Sequence, residues 1–125
     1  MSTLNVANVT DGTTSVPTGY VVNGSAKAWV NYNGDTNTIQ DSINVASITD
    51  VANGRHQFSF SNAMNNLNYA VTGNAGHSGY HNVTTKSNAF GTVDASNFTI
   101  RVSQTDTSGD DDDAQTSAIV HGDLA

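Results

Sequence analysis

Apolar and polar positions begin to alternate at Tyr20-Val21-Val22, and the pattern becomes regular over residues 26–32. There Ala26, Ala28, Val30 and Tyr32 share one face, with Lys27, Trp29 and Asn31 on the other, as in a half-buried strand. Asn33-Gly34 follows as a hairpin signal. Ile39, Asp41, Ile43 and Val45 form the next alternating run, and Val51-Ala52-Asn53-Gly54 makes a second turn. In His56-Gln57-Phe58-Ser59-Phe60 both phenylalanines point one way. Ala63-Met64-Asn65-Asn66-Leu67 reads as one irregular helical turn, too short to matter, before a strand over residues 69–72 that Gly73 ends. After a Gly- and His-rich loop at 74–81, strands are expected over 82–86, 98–102 and 116–121. In the last, Ala118 and Val120 oppose Ser117, Ile119 and His121.

Short strands at this spacing predict an all-β fold, a small antiparallel β-sandwich or barrel of about seven or eight strands. Residues 1–19 are polar, turn-rich and closed by Val16-Pro17-Thr18-Gly19, so they are expected as an extended N-terminal arm before a single domain over 20–125. The pattern contains no long amphipathic helix, no heptad and no repeat of the length a fibre shaft needs.

Composition narrows the function. Asn, Ser, Thr and Gly supply 56 of 125 residues, and apolar types only 36%, so the core is thin. A thin core favours burial shared with another copy or with another partner, and a homotrimer is the expected assembly. All 11 acidic residues are Asp, a turn and cap residue rather than a helix former. The net charge of −7 argues against nucleic acid as a partner, since a nucleic-acid groove needs clustered Lys and Arg. No run is long and apolar enough to serve as a membrane helix. Cysteine is absent, which excludes a thiolate nucleophile and a Cys-based zinc site. The first residues lack the basic start and apolar run of a signal peptide. A role outside cells would then be reached by assembly into a virus and release on lysis.

Residues 24–34, Gly-Ser-Ala-Lys-Ala-Trp-Val-Asn-Tyr-Asn-Gly, with Asp41-Ser42-Ile43-Asn44-Val45 and the following Ser47-Ile48-Thr49-Asp50, carry a resemblance. They resemble a KAWVNFNG-type module of marine and enterobacterial phage tail-fibre and virion structural proteins. Ala63-Met64, Asn68-Tyr69-Ala70-Val71 and residues 117–123 extend the likeness over 24–123, with departures at 51–56 and 106–113. The resemblance implies a location on the virion, at the capsid surface or tail, and brings no catalytic residues.

Candidate chemistry is sparse. Trp29 could face outward and form, with Lys27, a sugar-stacking or partner-binding platform; the burial usual for a large aromatic favours a place in the core instead. His77, Tyr80 and His81 lie in a glycine-punctuated loop, where the spacing of the histidines does not define a metal site; a surface-loop histidine pair, or contact with a neighbouring subunit, is the better reading. Asp106 and the run Asp110-Asp111-Asp112-Asp113 attract a calcium reading, but a calcium loop needs spaced ligands and usually a closing Glu. A solvated acidic loop is the expectation. With no nucleophile elbow, phosphate loop or dinucleotide fingerprint, no enzyme and no cofactor are expected.

The sequence therefore leads to a non-enzymatic structural protein on the exterior of a tailed-bacteriophage virion, of the capsid decoration or cement kind. Its partners would be its own copies and the major capsid protein. Two alternatives stand beside this: a tail-fibre or tail accessory module that meets tail proteins and host-surface glycan, and a secreted carbohydrate-binding domain.

Overall fold

The computed structural model describes residues 2–76, 81–105 and 109–125. Two antiparallel sheets of four strands face each other, as the alternation predicts. The chain begins with a small hairpin, β1 (Asn8–Thr10) and β2 (Ser15–Pro17), followed by a short helix α1 (Thr18–Gly24). The sandwich strands are β3 (Ala28–Asn33), β4 (Thr38–Ile43), β5 (Val45–Ala52), β6 (Arg55–Phe60), β7 (Ala70–Ala75), β8 (His81–Thr85), β9 (Asn97–Gln104) and β10 (Thr116–His121). One sheet has the order β4-β3-β10-β7 and the other β5-β6-β9-β8.

The inward positions of both sheets close the core. Ala28, Val30, Tyr32, Ala118 and Val120 line one side, with Phe58, Phe98, Ile100 and Val102 opposite. A continuous aromatic chain joins the layers. Tyr32 meets Phe58 edge-on at 4.8 Å, Phe58 stacks on Phe98 at 5.1 Å, Phe98 on Phe60 at 5.2 Å, and Phe60 meets Tyr69 edge-on at 5.7 Å. Each such pair adds about 1 kcal/mol beyond the area it buries. Burial pushes the Tyr69 phenol up to about 12, with the nearby Asp94 carboxylate adding to the effect.

Four expectations are corrected. Tyr20-Val21-Val22 is not a strand start: these residues lie in α1, and the exposed arm reaches past residue 19 to about residue 26. The run Ile39, Asp41, Ile43, Val45 is not one face of one strand. A bulge at Gln40 pairs Ile39 with Tyr32 but Asp41 with Asn31, so Ile39 turns inward while Ile43 turns out. Asn44 then takes a left-handed φ of 56°, tolerable for Asn, and sends the chain to the second sheet. Its side chain fastens that corner by accepting from the Asn62 N–H at 2.7 Å and donating to the Asn62 carbonyl at 3.0 Å. Residues 63–67 form no helical turn, and Met64 is a buried core residue bridged to Leu124. Finally, Gly73 does not end its strand, because β7 continues to Ala75.

Candidate functional site

The acidic run closes one end of the sandwich, and it is not a solvated loop. Each carboxylate of residues 110–113 has a separate partner. Asp110 sits between two guanidinium groups, bonded to Nε of Arg55 and to Nε of Arg101, the latter at 2.6 Å. Burial would raise its pKa, but the hydrogen bonds and charges of Arg101 and Arg55 outweigh this and hold the carboxyl below its usual range. Asp111 accepts from the Gln104 amide at 2.6 Å, and Asp112 from the Gly54 N–H at 2.7 Å. Asp113 is buried and accepts from the Gln115 N–H at 2.7 Å, while its carbonyl accepts from Gly34 N–H.

Two histidines complete this cluster. His56 is buried beside Tyr32, and its Nε2 meets the Asn37 amide oxygen at 2.7 Å. Burial is the main reason its imidazole is held below its usual range; the Asp112 and Asp50 carboxylates pull the other way. His81, expected in a surface loop, is the first residue of β8 and its side chain is closed to solvent. Its Nδ1 lies 2.7 Å from Asp113 and its Nε2 3.7 Å from Asp111. The two ring nitrogens thus face different carboxylates, so His81 does not aim with them at one metal ion. Among the described residues no group of three acidic or histidine side chains could hold one. His77 and Tyr80, and Asp106 of the acidic stretch, lie outside the described residues.

Lys27 does not build a platform with Trp29. Its ammonium folds back on the C-terminus of α1, bonding the Val22 carbonyl and the Ser25 hydroxyl, the latter at 2.9 Å. A cation there satisfies carbonyls that the helix leaves without partners.

Trp29 is on the outer face of the β4-β3-β10-β7 sheet and half-exposed, against the expectation of a core position. Ile43 and Ile119 are its cross-strand neighbours, and both are exposed. One pleat along, Asp41, Asn31, Ser117 and Asn74 form a polar row across the four strands. Beside that row is an open groove of about 340 Å³ lined by Asn31, Gln40, Asn74, Gln115 and Ser117. The sequence pattern places Asn31 and Ser117 outward, but only the register of non-adjacent strands brings them together with Asn74.

No protein-family model matches the chain, and no curated protein or solved structure is detectably similar to it.

Proposed function

We propose that this chain is a non-enzymatic structural module on the exterior of a tailed-bacteriophage particle, of the capsid decoration or cement kind, assembled as a trimer. The observation that carries the reading is the arm. Residues 2–26 are exposed except for the half-buried Thr18, although they include Leu4, Val6, Val9, Tyr20 and Val22. Its secondary structure is held by its own polar contacts, including Thr18 N–H to the Ala7 carbonyl at 2.8 Å. Two shallow apolar hollows lie on it, one bordered by Pro17 and Tyr20 and the other by Val9, Val16 and Val21. Apolar surface of this kind on a small acidic protein suits a contact with a neighbouring subunit. On a repeating lattice a modest energy per arm is multiplied over many sites.

The resemblance of residues 24–45 to phage fibre and virion modules supports the same location. It also supports a second reading, a receptor-binding module of the tail, and the half-exposed Trp29 on an open sheet face favours that reading. Removing residues 2–25 from the phage-encoded chain tests the first. The truncated chain should retain its sheet circular dichroism and be lost from purified particles. Retention on the particle at the full level would overturn the assignment of attachment to the arm.

A further inference from the structure

We propose that the outer face of the β4-β3-β10-β7 sheet binds an uncharged oligosaccharide, in the groove lined by Asn31, Gln40, Asn74, Gln115 and Ser117 beside Trp29. The proposal does not depend on where the chain is attached and applies equally to a capsid or a tail position.

The groove is a consequence of the register. Gln40 is the bulged residue of β4, and Gly76, just past β7, would meet nothing within 4 Å if it carried a Cβ, so the wall there is low. A second hollow of about 160 Å³ shares Asn74 and Ser117 with the first and continues to Thr72 and Ile119. The depression thus runs along the sheet from an amide-rich end to the pleat where Trp29 and Ile119 are cross-strand neighbours.

The lining selects the ligand. Among the described residues, the side-chain amides of Asn31, Gln40 and Gln115 make no hydrogen bond. The Ser117 hydroxyl donates to the Asn74 side-chain oxygen at 2.7 Å, which leaves the Asn74 NH₂ group without a partner there. Each amide offers donors and an acceptor together, which matches a ligand hydroxyl that both donates and accepts. No lysine or arginine lines the groove, so nothing compensates the charge of a phosphate, sulfate or uronate. The backbone of the two central strands is already paired on both sides, so an extended peptide finds no edge to join there. Trp29 and Ile119 supply the apolar flank on which the C–H face of a pyranose ring can lie.

Trp29 is the only tryptophan, so its fluorescence reports on this face alone. The full chain is titrated with neutral hexasaccharides of glucose, mannose, galactose and N-acetylglucosamine. A hexagalacturonate and an Asn/Gln-rich peptide serve as the charged and polypeptide arms. At least one neutral glycan should shift Trp29 emission to saturation. N31A and Q115A should each weaken that binding about tenfold, with unchanged thermal midpoints, because both side chains are exposed. T49A, on an exposed position of the opposite sheet, should bind as the parent does. The proposal is overturned if no neutral glycan acts at about 10 mM, if N31A and Q115A bind normally, or if the charged oligosaccharide or the peptide binds more tightly.

Discussion

The imidazole of His81 and the carboxylate of Asp113 meet at 2.7 Å, with both side chains closed to solvent. They join β8 to the segment leading into β10, which belong to different sheets. The pair therefore ties the two layers at the end where the acidic run enters. Removing Asp113 leaves the buried Nδ1 of His81 without its carboxylate partner, which costs about 2 kcal/mol. D113A should lower the unfolding free energy read from urea denaturation by that amount, moving the midpoint down with little change in slope. An unchanged midpoint would show that the contact does not hold the layers.

Gly54 makes a close backbone approach at the same end. Its φ is 66°, and a Cβ there would lie 2.5 Å from the Val102 carbonyl oxygen and 2.6 Å from Asp111 N. These are backbone atoms and cannot swing aside. G54A should cost about 2 kcal/mol or more, read by thermal or denaturant unfolding. G12A, in the arm, also sits at positive φ but in open space, and should cost less.

Acid weakens the fold in two stages. His56 is held below its ordinary range, so between that lowered value and about 6.5 the unfolded chain binds the proton and the folded chain does not. Stability is full above this window and falls as pH drops through it. Asp110 is a carboxyl with a lowered folded value. Its contribution is present above about 3.9 and disappears as pH falls further through the folded value. H56Q should flatten the decline between about pH 7 and 5, even though the variant is less stable overall. Parallel pH profiles for parent and variant would contradict this.

Calcium should not stabilise the protein. The carboxylates of residues 110–113 point to Arg55 and Arg101, to Gln104, to the Gly54 N–H and to His81, rather than to a common centre. Millimolar calcium should leave the thermal midpoint where chelator leaves it. A rise of several degrees would mean that the acidic run rearranges around the ion.

Much of the architecture is legible in the alternation. Residues 116–121 match β10, and Phe58, Phe60, Phe98, Ile100 and Val102 are core positions, because period-two placement decides the buried face of a strand. What alternation cannot carry is a change of face or sheet. The bulge at Gln40 and the corner at Asn44 both depend on backbone conformations that neighbouring apolar residues do not reveal. The helix α1 was masked by Val21 and Val22, whose β-branching suggests a strand. The acidic run misled for another reason. Consecutive Asp residues look solvated until Arg55, Arg101, His56 and His81 are brought to them from distant strands. Trp29 was legible as outward by its phase with Lys27 and Asn31, but its bulk argued for the core. The groove beside it needs β4, β10 and β7 in register, which no local pattern contains.

Counting this chain in purified phage particles tests the proposed virion role. Mass spectrometry against isotope-labelled peptides, normalised to the major capsid protein, should give copies in the hundreds per particle, on the order expected for a lattice-wide decoration. Its absence from particles, with the chain recovered only in the cell or the medium, would contradict a virion role.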